Sequence, residues 1–196
     1  MDDPRASILL IGLRGSGKSA LGPRLAERLG RPFIDLDAVT VTYLGEGTLR
    51  ELWERHGEVR FRQAEYRALV NQAFPRTNPG PVVALGGGTP TAPGAADFLR
   101  NARARGMGRI VYLRAAPATL RARLAGADNA DRPSLTGADP LAEIEAVHAA
   151  RDPLYRELAD AVVEVDGLNE AATLGAVVRS LPGPVGGGAK GTPGNT

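Results

Sequence analysis

The sequence predicts an α/β fold built as a doubly wound sheet. Two observations carry that expectation. Five short apolar runs rich in Val, Leu and Ile alternate with stretches of helical periodicity, the pattern of buried parallel strands joined by crossover helices. A glycine-rich loop also joins the first run to the first helical stretch, a placement typical of phosphate-binding α/β proteins. At 196 residues the chain predicts one domain, by the usual scale of about 150 residues per domain.

The elements follow in order. Ser7 to Ile11 is the first run, too short for a helix and free of charge. Leu21, Leu25 and Leu29 then recur every fourth residue, one face of an amphipathic helix closed by Gly30. Phe33 to Leu36 is the second run. Thr48-Leu49-Arg50-Glu51 has capping-box spacing and opens a helix through Leu52 and Trp53. Val82 to Leu85 and Ile110 to Leu113 are the third and fourth runs. Pro117 suits a first helical turn leading into Leu120 and Leu124, and Val162 to Val165 is the fifth run. Two segments stand apart: the polar stretch 126–139, long enough for a lid, and the Gly/Pro-rich stretch 182–196, which reads as a disordered tail. The expected domain is therefore 1–181.

Composition narrows the function. Without cysteine there is no disulfide, thiolate metal site or cysteine nucleophile. No apolar run approaches the roughly 18 residues of a membrane span, and Met1-Asp2-Asp3-Pro4 leads into no apolar leader, so a cytoplasmic protein without membrane partners is expected. The pI of 9.3 is a weak argument for nucleic acid, because the net charge is only +2. The chain has 22 Arg and two Lys (Lys18 and Lys190), so little titrates between pH 7 and 9. No nucleic-acid partner is expected.

Gly12-Leu13-Arg14-Gly15-Ser16-Gly17-Lys18-Ser19 matches G-x-x-x-x-G-K-[ST], between a strand and a helix. Backbone N–H groups of Gly15, Ser16, Gly17, Lys18, Ser19 and Ala20 would face nucleotide phosphates, with the Lys18 ammonium on the β- and γ-phosphates and the Ser19 hydroxyl on Mg²⁺. No guanine-reading N-K-x-D is present, and the chain is too short for most ATPase motors; a small-molecule kinase using ATP leads. Asp35 and Asp37 flank Leu36 after the second run. If the strand continued, both would lie on one face, one carboxylate for Mg²⁺ and one for a substrate proton; otherwise one of them caps a helix. Gly86-Gly87-Gly88 ends the third run, where bare backbone can approach a ligand. Arg62 and Arg151, taken singly, read as surface residues. His56 and His148 lack metal-ligand spacing, and Trp53 reads as core before ligand contact.

Taken together, G-x-x-G-x-G-K-S at 12–19, D-x-D at 35–37, G-E-x-x-F-R-x-x-E at 57–65, G-G-G at 86–88, R-P at 132–133 and R-x-x-x-Y at 151–155 resemble the shikimate kinase family, in its order, over about residues 8–166. The resemblance implies a P-loop kinase with a five-stranded parallel sheet, a helical substrate-binding subdomain after the second strand, a lid, and ATP-dependent phosphorylation of the shikimate 3-hydroxyl. It implies that Asp37 binds substrate and is the base, and that Asp35 supports Mg²⁺. Arg62 and Arg151 would clamp the shikimate carboxylate, Gly86, Gly87 and Gly88 would line the pocket, and Arg132 would reach the phosphates from the lid. For the arginine that stacks on adenine, Arg123 is preferred to Arg121. Family members usually read R-P-L-L at the lid, whereas Ser134 stands here in the third place. A monomer is expected. The rivals are a gluconate kinase-like enzyme, whose G-D-x-x-H segment has no counterpart at 35–38, and a non-catalytic relative, expected to lose Lys18, Asp37 or Arg62.

Overall fold

The computed structural model describes residues 3, 5–75, 77–125 and 143–181. The expected lid at 126–139, with Arg132, and the expected tail at 182–196 lie outside the described residues.

Five strands, β1 (Ser7–Ile11), β2 (Phe33–Asp35), β3 (Val82–Ala84), β4 (Gly108–Arg114) and β5 (Ala161–Glu164), form one parallel sheet in the order β2-β3-β1-β4-β5. β1 is central and wholly buried, with Leu9, Leu10 and Ile11 at 0 % exposure, which is why it is the most continuous apolar run. Leu10 pairs with Ala84, which pairs with Asp35, so the ends of β1, β3 and β2 are level. The edge strands are less covered: β2 is half-buried along its length, and β5 exposes alternate residues. The expectation of five buried runs therefore needs correcting at both edges.

Helix α1 (Lys18–Leu29) carries the chain from β1 to β2 and ends at Gly30, whose φ of 63° supplies the left-handed cap. Helix α4 (Ala95–Ala104) carries it from β3 to β4 in the opposite direction. Right-handed crossovers then place these two helices on opposite faces. Where the crossovers diverge, at the carboxyl ends of β1 and β3, an open α/β sheet presents its ligand crevice.

After β2 the chain enters α2 (Leu36–Leu44) and α3 (Leu49–Gln72), which pack on each other around a small core of Leu44, Leu52, Phe61 and Ala64. Thr48 and Glu51 form the expected capping box: Thr48 Oγ1 accepts from the Glu51 N–H at 3.2 Å, and the Thr48 N–H donates to Glu51 Oε2 at 2.8 Å. At Gly57 (φ 72°, ψ 166°) α3 leaves helical geometry. A side chain there would be strained, so the glycine permits the kink that separates the Trp53 turn from the Arg62 turn.

Helices α5 (Pro117–Ala125), α6 (Ile144–Leu158) and α7 (Glu170–Ser180) complete the described residues. α6 docks on the sheet through Asp152, which accepts from Tyr112 Oη (2.9 Å), Arg114 Nε (2.7 Å) and Arg156 Nε (2.8 Å). Burial pushes the Asp152 carboxyl up, but these donors outweigh it and hold the group at about 2, below its ordinary 3.8. The stabilisation is therefore complete above about pH 4 and disappears as pH falls through about 2. Accordingly, the Tm deficit of Asp152→Asn should be larger at pH 7 than at pH 2.5; an equal deficit at both would show that the charge contributes nothing. No helix among the described residues is long and apolar enough to cross a membrane.

Candidate functional site

The glycine-rich loop leaves β1 at Gly12 and enters α1 at Lys18. Gly12, Gly15 and Gly17 all take positive φ, and a Cβ on Gly12 would lie 2.6 Å from the Leu113 carbonyl. Lys18 is buried, and its Nζ donates to the carbonyls of Gly12 (2.7 Å) and Leu13 (3.0 Å) and to Ser16 Oγ (3.3 Å). The ammonium thus lies against the loop beside the α1 N-terminus, where phosphate oxygens would be drawn. Ser19 and Ala20 are exposed in the same first turn. Arg123 reaches the loop from α5, donating to the Gly15 carbonyl (3.3 Å) and the Val165 carbonyl (3.1 Å). Arg121 instead pairs with Glu145 at 2.8 Å on the surface.

Asp35 and Asp37 do not share a strand face. β2 stops at Asp35, and Leu36 already belongs to α2. The cause is local: Asp35 Oδ1 accepts the Asp37 N–H at 3.0 Å, an N-cap that turns the chain into a helix at once. The run from Phe33 to Leu36 was thus one residue too long as a strand. Asp37 nevertheless lines the central cavity from the first turn of α2.

That cavity also takes in Arg14, Arg62, Glu65, Gly87, Gly88 and Arg151, with Leu13, Trp53, Phe61, Leu120 and Leu124 among its apolar walls. Gly87 and Gly88 of the glycine triplet line it; Gly86, expected there too, is outside the lining and stands against Asp37 and Glu65. A Cβ on Gly86 would stand 2.5 Å from Asp37 Oδ1, 2.7 Å from Thr89 Oγ1 and 3.0 Å from Glu65 Oε1. The Gly87 carbonyl accepts from Arg151 Nη1 (3.1 Å) and Tyr155 Oη (2.7 Å). A Cβ on Gly88 would collide with the Arg62 guanidinium. The triplet therefore has the Asp37 and Glu65 carboxylates at its Gly86 end, the Arg151 guanidinium at Gly87 and the Arg62 guanidinium at its Gly88 end, with no side chain of its own between them.

Arg62 is not the surface residue its composition suggested. It is 8 % exposed, paired with Glu65 at 2.7 Å and with Glu58 at 3.5 Å, and its guanidinium lies 5.1 Å from the Trp53 ring centroid. Burial pushes the Glu65 carboxyl up, Arg62 pulls it down, and the nearby Asp37 charge pushes it up further, leaving it above its ordinary range. Burial likewise raises Tyr155, to about 12, so its hydroxyl remains a donor to Gly87. Trp53 belongs to the small helical core and also lines the cavity; the expectation of core before contact described half of its role. His148 is buried, and His56 Nε2 lies 3.0 Å from the Leu44 carbonyl; both are structural.

Sequence reasoning assigned no role to Glu65, Thr89 or Tyr155. The i,i+3 step from Arg62 to Glu65 and the i,i+4 step from Arg151 to Tyr155 were available signals. What could not be seen was that Gly86 and Gly87 stand between them.

The chemistry of Ser19 and Asp35 suits Mg²⁺: a hydroxyl and a carboxylate are hard oxygen donors, and Asp35 has a second oxygen beyond the one used in its cap. Among the described residues there is no cluster of three or more His, Cys, Asp or Glu able to cage a metal. An ion here would take most of its ligands from nucleotide phosphates and water, as Mg²⁺ commonly does.

Comparison with known proteins agrees with this geometry. The family model described as "Shikimate kinase" matches residues 14–182. The chain is 38% identical to the shikimate kinase of Paracidovorax citrulli over 182 residues, covering 92% of this chain and 94% of that one. It is also 38% identical to that of Rhodopirellula baltica over 181 residues, covering 91% and 92%. Among solved structures, the shikimate kinase of Acinetobacter baumannii in complex with shikimate superposes with a TM-score of 0.76 at 30% identity, covering 89% of this chain and 91% of that one.

Proposed function

The chain belongs to the shikimate kinase family, and from that premise we propose that it transfers the terminal phosphoryl group of ATP to the 3-hydroxyl of shikimate. The observation that carries this reading is the glycine triplet, with Asp37 against Gly86, Arg151 on Gly87 and Arg62 against Gly88. A substrate with a carboxylate at one end and a reacting hydroxyl at the other fits that order of charges.

In this reading Arg62 and Arg151 hold the shikimate carboxylate through charge-assisted, fork-shaped hydrogen bonds. The triplet lets the ring lie directly on backbone. Asp37 accepts the 3-hydroxyl proton as the oxygen attacks phosphorus. Gly15 to Ala20 donate backbone N–H groups to the phosphates, and Lys18 neutralises charge on the transferred group, aided by Arg132. Arg123, bonded to the loop at Gly15, is the guanidinium available to adenine. Ser19, with Asp35 through water, would hold Mg²⁺, which neutralises phosphate charge when bound. The reading takes the protein as a monomer acting on small molecules in the cytoplasm.

The deciding assay is ADP formation from Mg-ATP with and without shikimate, with gluconate and nucleoside monophosphates as controls. ADP formed only with shikimate is the expected result. Turnover of a control substrate instead would overturn Arg62 and Arg151 as a shikimate clamp, and ATP binding without turnover would favour a non-catalytic relative.

A second check uses the single tryptophan. Trp53 lines the cavity and faces the Arg62 guanidinium, so shikimate should change its emission with a midpoint tracking the kinetic KM. A flat titration at concentrations that saturate turnover would place the ring outside the substrate's reach.

A further inference from the structure

The two α6 residues that reach the glycine triplet, Arg151 and Tyr155, flank a position in the same helix that faces the sheet. Asp152 accepts from Tyr112 Oη and Arg114 Nε on β4 and from Arg156 Nε on α6 itself. Arg114 and Arg156 also meet Glu164 on β5, at 3.0 and 3.6 Å. His148 Nε2 is buried 3.8 Å from Asp152 Oδ1 without a hydrogen-bond partner among the described residues. One carboxylate therefore ties α6 to β4, and its two arginine partners extend the tie to Glu164 on β5.

The helix needs that tie more than most. Pro153 sits in its interior, where it has no N–H to give the Ala149 carbonyl, so the α6 ladder is broken one residue after Asp152. A helix weakened at its centre is free to bend there, and the bend would fall between the turn carrying Arg151 and the turn carrying Tyr155. Both side chains bond a single acceptor, the Gly87 carbonyl, so a small change of tilt would take one of them off it. Tyr112 links the two regions further, since its ring packs edge-on against Tyr155 with centroids 5.5 Å apart.

We propose that Asp152 is a positioning residue for substrate binding: by gathering Tyr112, Arg114 and Arg156 it fixes the tilt of α6 across Pro153, and so fixes where Arg151 and Tyr155 meet Gly87. The inference rests on the reading of Arg151 as a carboxylate ligand. It assigns Asp152 no contact with substrate, and it separates shikimate binding from nucleotide binding, because the Asp152 hydrogen bonds to Tyr112, Arg114 and Arg156 go to β4 and α6 and not to the phosphate loop between β1 and α1.

The test compares Asp152→Asn and Arg156→Ala with the native chain at neutral pH. Asn keeps the shape and one acceptor but loses the charge; Arg156 is a partly exposed partner whose removal should leave the fold intact. Asp152→Asn is expected to raise the shikimate KM about tenfold, worth about 1.4 kcal/mol of binding. Its ATP KM and kcat should stay within about twofold, and Arg156→Ala should move the same constant in the same direction by less. If both variants lower Tm while the shikimate KM stays put, or if both KM values rise together, Asp152 only holds the fold and the proposal is wrong. Should Asp152→Asn fail to fold, Arg156→Ala decides alone by the same criterion. A native chain that forms no ADP with shikimate would overturn the functional reading together with this inference. An active native chain with unaltered variants would overturn the inference only.

Discussion

Asp37→Asn is expected to keep the fold and lower kcat at least about 100-fold, the scale of a lost general base. The substitution is nearly isosteric, so the close approach to Gly86, where a Cβ would stand 2.5 Å from Asp37 Oδ1, is preserved. The start of α2 is preserved too, because its cap runs from the Asp37 backbone N–H to Asp35, whatever side chain stands at 37. Removing one of two neighbouring carboxylates also relieves Glu65, which the Asp37 charge pushes up. What is lost is a group able to take a proton in the transition state; an amide cannot. The effect should therefore sit in kcat measured with both substrates saturating, with a smaller change in the shikimate KM from the altered hydrogen bond. A variant with unchanged kcat would leave Asp37 as a binding group, with the proton going directly to the phosphate oxygens or to water.

This site was legible in the sequence to the extent that its chemistry is local. The phosphate loop announces itself because every residue it needs lies within eight positions, between a strand and a helix. The capping box at Thr48 and Glu51 and the stop at Gly30 are equally local, and both formed as expected. The D-x-D segment was ambiguous because two short-range rules compete there. Alternation along a strand would put both carboxylates on one face, while an Asp before a helix caps it; the N–H of Asp37 settles the contest in favour of the cap. Arg62, Glu65, Thr89 and Tyr155 belong to a different category. Their roles depend on a triplet from β3 passing between α2, α3 and α6, elements more than sixty residues apart in the case of Tyr155 and Gly87. No spacing rule within one helix reports that meeting, and composition misleads, since an arginine is rarely as buried as Arg62.

Arg62→Ala should produce two losses with different origins. The first is stability. Arg62 supplies the charge that Glu65, 3 % exposed, pairs with at 2.7 Å, and removing one partner of a buried pair costs about 3–5 kcal/mol because the other is left uncompensated. The pH sign identifies this term. Without Arg62, the folded-state pKa of Glu65 rises further above its ordinary 4.5, so the folded state gains a proton that the unfolded state lacks. Stability then falls as pH rises from about 4.5 through that raised value, and the Tm deficit should shrink in mildly acidic buffer. The second loss is binding: if Arg62 holds the shikimate carboxylate as proposed, truncating this desolvated guanidinium should raise the shikimate KM about 100-fold while the ATP KM holds. Adding Glu65→Gln separates the two. The double variant no longer buries a bare carboxylate and should regain most of the lost stability, yet it has no cation to offer the substrate and should keep the raised KM. Recovery of both together would mean that Arg62 serves the fold alone and that Arg151 holds the carboxylate unaided; recovery of neither would mean that the guanidinium's packing against Trp53, rather than its charge on Glu65, is what the helical core requires.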